Sequence, residues 1–252
     1  MSGHSHWATI KRKKGAADAK KGQVFTRLTR EIVLASRDGG GDPSSNFRLA
    51  LAIDRARAQN MPKDNIERAI RRGTGEDKEG ASLEEIYYEG YAPHGVALMI
   101  FCVTENRNRT VADIRHILNR FGGSMAEAGS VSWQFTRKSY FTLTSEDQNP
   151  DAVFELAVEA GADDVIFDSS EIEIVAPVES FKDINDRLKE SGIQPEEAGL
   201  KMAPNNELTL DTESTIQILK VIEALEELDD VQDVYYNLSI SEEVMARLEE
   251  AA

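Results

Sequence analysis

The opening string SGHSHWATIKRKKGAADAKKG gathers Lys11, Arg12, Lys13, Lys14, Lys20 and Lys21 behind Trp7. Ammonium and guanidinium groups at this density bind phosphates and release condensed counterions, and an exposed indole stacks on an unpaired base. The chemistry implied is recognition of a polyanion, and it suits RNA at least as well as DNA. A polybasic tail is also drawn to an anionic membrane surface, but no apolar anchor or lipidation signal adjoins this one. His4 and His6 are of metal-ligating type, yet no further Cys or His lies nearby to complete a set. Neither a metal nor another cofactor is expected.

A second string, Glu105-Asn106-Arg107-Asn108-Arg109-Thr110, falls between an expected strand and an expected helix. Thr110 followed by Asp113 resembles a capping box with Asp in place of the usual Glu or Gln. A helix N-terminus behind Arg107 and Arg109 attracts a phosphate, whereas a capped loop would use the same arginines to pair with neighbouring acids. The residues alone leave both readings open. For catalysis there is little to build on. The chain has no phosphate-binding GxxxxGKS/T loop, no GxSxG elbow, no HExxH helix and no CxxC pair, and His94 and His116 lack an evident nucleophile. The one cysteine, Cys102, sits in the apolar run VALMIFCV and reads as a buried structural thiol, in keeping with a reducing compartment.

The positioning elements begin with a charge asymmetry. Over 252 residues the net charge is −16, but residues 1–73 hold 16 Lys+Arg against 7 Asp+Glu, leaving 13 against 38 for the remainder. One basic surface for nucleic acid and an acidic remainder that avoids other polyanions would account for that split. Residues 1–21 read as a basic flexible tail and 22–76 as a three-helix domain. Phe25, Leu28, Ile32 and Ala35 give the first helix its apolar face, ended by Gly39-Gly40-Gly41. The second is expected from about Asp42-Pro43-Ser44 to Gln59. The third opens on Pro62 and ends at Gly73. Arg27, Arg30 and Arg37 lie off the apolar face of the first helix, and Arg71 and Arg72 join them as candidate phosphate ligands.

Thr74 to Gly80 is a polar, glycine-bearing linker. Beyond it, strands are expected at Leu83–Tyr91, Val96–Thr104 and Val131–Phe135, with a helix around Ile114, Ile117, Leu118 and Phe121. From Tyr140 the order of elements is βαββαβ, the split-βαβ arrangement, followed by a helix from Thr212 to Leu228 and a strand from Val231 to Ile240. The fold class is therefore α+β in three domains: an N-terminal helical bundle, a middle α/β domain (81–136 with 205–241), and a ferredoxin-like domain (137–204) inserted in the middle one. No apolar run approaches a membrane span and no secretory signal opens the chain, so residence in the cytoplasm is expected.

In order along the chain, GHSHWATIKRKKGAADAKKG, GGGDPSSNFRL, NMPKDNIERAIRRG, YYEGYAPHG and ENRNRTVADIRH closely resemble the YebC/PmpR family over essentially the whole length. His6 stands where many relatives carry lysine. The resemblance implies three domains, the inserted topology, and a regulator of gene expression without catalytic activity. It also implies two different partners: promoter DNA, for members described as transcriptional regulators, or the ribosome, for members that activate translation or ease stalling at proline-rich stretches. No helix-turn-helix signature is recognisable and the tail is richer in phosphate-binding than in base-reading residues, which favours ribosomal RNA. A protein-binding adaptor using Ile216, Leu219, Ile222 and Leu225 is a further reading, although those residues fit a core better. A monomer is compatible with the sequence, which fixes no stoichiometry.

Overall fold

The computed structural model describes residues 19–77, 83–146, 148–168 and 171–250. The helical bundle comprises α1 (Ala19–Gly39), α2 (Phe47–Ala58) and α3 (Lys63–Thr74). Because α1 takes in Lys20 and Lys21, the helix begins before the expected boundary at residue 22. Leu28, Ile32 and Ala35 meet Leu49, Ile53 and Ala56 of α2 and Ile66 and Ala69 of α3 in one buried cluster, as their three- and four-residue spacing requires.

The helix ends differ from expectation. Asp42 does not open α2; it folds a turn, accepting hydrogen bonds from the Ser44 amide at 2.9 Å and the Ser44 hydroxyl at 2.8 Å. The cap is Asn46, whose Oδ1 accepts from Leu49 N at 3.1 Å while its Nδ2 donates to the Ala35 and Gly40 carbonyls, each at 2.7 Å. One side chain thus closes the end of α1 and starts α2, a cap of about 1 kcal/mol. Likewise α3 ends on Gly75, at a left-handed φ of 78°, and not on Gly73. Gly73 lies inside the helix, where a Cβ would stand 2.4 Å from the Val33 carbonyl oxygen and 2.6 Å from Ser36 Cβ.

Beyond the bundle the chain forms β1 (Glu84–Tyr91), β2 (Ala97–Thr104), α4 (Arg107–Arg120) and β3 (Ser124–Met125). It continues with β4 (Phe135–Thr144), α5 (Pro150–Glu159), β5 (Asp164–Phe167), β6 (Glu171–Pro177), α6 (Phe181–Glu190), β7 (Glu197–Pro204) and β8 (Leu208–Thr209). It closes with α7 (Thr212–Glu226), β9 (Val231–Tyr236), β10 (Leu238–Ser239) and α8 (Glu242–Glu250). These elements and the bundle divide into two compact units.

The first unit holds residues 19–131 and Asp211–Tyr236. Its antiparallel sheet has the order β3-β1-β2-β9, so a strand from the end of the chain completes a sheet begun before residue 105. β2 is apolar at nearly every position because both its faces are covered. Val103 and Phe101 join the helical cluster, while Leu98, Ile100 and Cys102 point to the opposite face. The burial pushes the Cys102 thiol up to about 12, which makes it a poor nucleophile. Leu219, Ile222 and Leu225 of α7 are buried and Ile216 is half-buried, so the stripe considered for docking is largely core.

The second unit holds Ser132–Leu210 and residues 237–250. Its sheet order, β5-β6-β4-β7, with α5 and α6 between the strands in sequence, is that of a ferredoxin-like domain inserted in the middle one. Val131–Phe135 is not a separate strand. A 3-10 turn at Ser132–Gln134 leads into β4, which runs unbroken from Phe135 to Thr144. The expected strand to Ile240 also divides: β9 pairs with β2, whereas β10 pairs in parallel with β8 in the second unit. The sequence reading missed α8, whose Val244 and Met245 are buried and whose Ser241 hydroxyl accepts from Val244 N at 3.4 Å.

Gly73→Ala gains about 1 kcal/mol of helix propensity but drives a methyl group into the α1 backbone, which cannot rotate away, at about 1–3 kcal/mol. The steric term should win, and the urea midpoint should fall. An unchanged or raised midpoint would show that α1 and α3 are not in this close contact.

Candidate nucleic-acid interface

Trp7, Lys11, Arg12, Lys13 and Lys14 lie outside the described residues, as do His4 and His6. Lys20 and Lys21 fall in the first turn of α1. The remaining candidates are all in described structure, and most of them face acids.

Asp230, on the turn between α7 and β9, is 5% exposed and collects the largest group. From α1, Arg30 Nη2 reaches Asp230 Oδ1 at 2.8 Å while Nη1 donates to the Asp229 carbonyl. From α4, Arg109 Nη2 lies 3.0 and 2.9 Å from the two carboxylate oxygens. Thr110 Oγ1 is 2.8 Å from Asp230 Oδ2 and Thr104 Oγ1 is 3.1 Å from it. Burial pushes the Asp230 carboxyl up, but hydrogen bonds from Arg109 and Thr110 and the charges of Arg30 and Arg109 outweigh it and hold the group below the usual carboxylate range. Gln23 adds a 2.5 Å bond to the Glu227 carbonyl at the end of α7. The polar stripe of α1 is thus laid against the α7–β9 turn, where helix-end carbonyls and a carboxylate need donors.

The same pairing recurs around the bundle. Arg37 donates to the Leu83 carbonyl at 2.6 Å and to Asp38 at 3.0 Å. Arg72 pairs with Glu105, Arg107 with Glu84, and Arg71 with Asp77 at 3.8 Å. The Arg27 guanidinium has its Nε buried without a hydrogen-bond partner among the described residues. Thr110 is not the cap of α4. Asn106 is, through Oδ1 and Arg109 N at 3.1 Å, because the Thr110 hydroxyl is turned inward to Thr104 and Asp230.

Two cations absent from the expected set stand out. Arg68 on α3 and Arg115 on α4 are exposed and make no ion pair among the described residues. Arg120 is also exposed, with its guanidinium 5.6 Å from the Phe121 ring centre. Sequence spacing could not single them out, since Arg68 has Asp64 and Glu67 close by in the chain. They lack a tertiary acid among the described residues, as the exposed Arg120 on α4 and Arg137 on β4 also do. His94 sits in a 3-10 turn at φ 62° with Nε2 3.4 Å from Gln217 Oε1, and His116 is exposed on α4. No group of three His, Cys, Asp or Glu among the described residues is placed to hold a metal ion. No described helix is long and apolar enough to cross a membrane.

Comparison with known proteins places this geometry. A probable transcriptional regulatory protein of Geobacter sulfurreducens is 50% identical over 248 residues, covering 98% of this chain and 100% of that protein. One of Chlorobaculum tepidum is 51% identical over 251 residues, with 99% and 100% covered. The crystal structure of a conserved hypothetical protein from Aquifex aeolicus superposes with a TM-score of 0.85 at 41% identity, covering 94% of this chain and 98% of the other. The model of the TACO1/YebC N-terminal domain matches residues 5–76, and that of the TACO1/YebC second and third domain matches residues 83–238. With both models matched in order and close relatives spanned from end to end, the chain belongs to the TACO1/YebC family.

Proposed function

We propose that this protein is a non-enzymatic, cytoplasmic regulator of gene expression that associates with the ribosome and eases stalling at proline-rich stretches, binding ribosomal RNA through its basic N-terminal segment. The observation that carries the reading is the distribution of cations. Residues 1–73 hold the positive excess, while Arg30, Arg37, Arg71 and Arg72 in the folded bundle face acids or carbonyls. Lys11, Arg12, Lys13 and Lys14, with Trp7 beside them, have the composition for phosphate contact and base stacking without a rigid reading helix. Transcriptional regulation through promoter DNA is the second reading, and the names of the relatives, probable transcriptional regulatory proteins, favour it. It needs side chains fixed on a helix in the major groove and selection between duplex sequences.

In the interface as proposed, the clamped arginines serve stability and the exposed ones serve binding. Arg30→Ala with Arg109→Ala should lower the unfolding midpoint and leave the affinity of the folded fraction for a ribosomal RNA fragment within about twofold. Arg68→Ala with Arg115→Ala should leave the midpoint unchanged and weaken binding by roughly three- to tenfold, as expected for two lost phosphate contacts. The reverse pattern would contradict this division.

The clamp also predicts a pH dependence. The folded-state pKa of Asp230 is depressed, so its stabilisation is fully present above the unfolded value of about 3.9 and is lost as pH falls through the lower folded value. Asp230→Asn should cost about 2–3 kcal/mol at pH 7, and its difference from the parent should shrink as pH falls below the unfolded value of about 3.9. Equal stability of the two proteins at pH 7 would remove the clamp.

The functional test is deletion of residues 1–14. The truncated protein should keep its thermal unfolding profile and sediment less with ribosomes, and it should fail to rescue proline-rich translation in a reconstituted system. Normal rescue by the truncated protein, or neglect of ribosomes combined with selection of one promoter duplex over random DNA, would give the transcriptional reading instead.

A further inference from the structure

The ferredoxin-like domain carries an apolar surface that the nucleic-acid reading does not use. Phe154 and Val158 are each 49% exposed and Phe167 is 41% exposed. The large exposed apolar side chains among the described residues are Tyr87, Trp133, Phe154, Val158, Phe167 and Leu200, so half of them fall between residues 154 and 167. Such a concentration marks an interaction surface more often than scattered exposure does. Phe154 and Val158 are one turn apart on α5, with Val153 and Ala157 buried on the adjoining stripe. α5 packs against β5, the edge strand of its sheet. On β5, Val165 is buried, and Phe167, two residues on, emerges on the same side of the sheet.

The charge around these side chains selects the partner. Residues 150–168 contain Asp151, Glu155, Glu159, Asp163, Asp164 and Asp168 and no lysine or arginine. Two of the acids are partly neutralised from elsewhere, Asp163 by Lys138 at 2.7 Å and Glu159 by Arg187 at 2.8 Å. Beside α5, an open cleft of about 340 Å³ is lined by Glu159, Ala160, Asp183, Asp186, Arg187 and Glu190, again with acids in excess. A phosphate backbone would be repelled here, and an acidic protein surface as well. A second copy of the same face would bring like charges together.

We infer that this surface docks a protein segment that is rich in lysine and arginine and carries apolar side chains. Phe154, Val158 and Phe167 take the apolar groups, and Asp151 and Glu155 meet the cations at the rim. The inference is independent of whether the nucleic-acid partner is ribosomal RNA or DNA. It gives the acidic domain a binding role of its own, with specificity from charge and affinity from apolar burial.

The test uses the full-length protein, a fluorescent amphipathic lysine/leucine helical peptide, a glutamate/leucine peptide of the same pattern, and an oligouridylate RNA. The variants are Phe154→Ser with Val158→Ser, and Glu155→Lys, all at exposed positions, with thermal unfolding as the check on folding. The lysine/leucine peptide should bind the parent at least tenfold more tightly than either variant, the glutamate/leucine peptide should not bind, and RNA affinity should be the same in all three proteins. Equal binding of the lysine/leucine peptide to parent and serine variant would overturn the inference, since attraction to a net charge of −16 would then suffice. So would loss of RNA affinity in the serine variant, which would make the face a nucleic-acid site. A concentration-dependent dimer of the parent, abolished by the serine substitutions, would make the occupant a second copy and overturn it too.

Discussion

A carboxylate held out of water stays ionised only while cations and hydroxyls surround it, and Asp230 is such a group. Its partners come from α1 and from the start of α4, while the carboxylate itself arrives on the turn before β9. These segments are far apart in sequence, and the chain between α4 and α7 contains an entire domain. The clamp therefore fixes three things together: the face of α1 that turns to the middle sheet, the position of the α4 N-terminus, and the return of the chain to complete the sheet. Replacing Arg30 or Asp230 leaves the other buried without its counter-charge.

That constraint changes the meaning of a basic sequence. Counting lysines and arginines treats every cation as available for phosphate, yet a guanidinium within 3 Å of a buried carboxylate is not available without breaking the pair. Arg30 and Arg109 are in that state, and Arg37 is bound to a carbonyl. Among the described residues, positive charge not held by a tertiary acid remains on exposed side chains such as Arg68 and Arg115. The acidic ferredoxin-like domain supplies the opposite sign, and its exposed Phe154 and Val158 supply what a solvated acidic face lacks.

Much of the fold was legible because its signals are local. The spacing of Leu28, Ile32 and Ala35 marks a helix face, and the unbroken VALMIFCV run marks a strand covered on both sides. The βαββαβ order from Tyr140 identified the inserted domain, since each element shows in its own few residues. What escaped depended on distant partners. Gly73 reads as a helix terminator until α1 is known to press against it. Thr110 reads as a cap until its hydroxyl is seen to turn inward, leaving the cap to Asn106. Val131–Phe135 has strand composition, but Val131 N donates to the buried Glu89 carboxylate at 2.5 Å and the chain turns there before β4 begins. The arginines were the hardest case, because sequence shows a guanidinium and not the acid about 200 residues away that will hold it.

The most direct measurement is the slope of log Kobs against log salt concentration for binding of the full chain to a single-stranded ribosomal RNA fragment. Each cation that neutralises a phosphate contributes about −0.7 to that slope. Contact through Lys11, Arg12, Lys13, Lys14, Lys20 and Lys21, with or without Arg68 and Arg115, predicts a slope between about −4 and −6. A slope near −9, which would need Arg27, Arg30, Arg37, Arg71, Arg72, Arg107 and Arg109 to reach phosphates as well, would contradict the assignment of the clamped arginines to the fold.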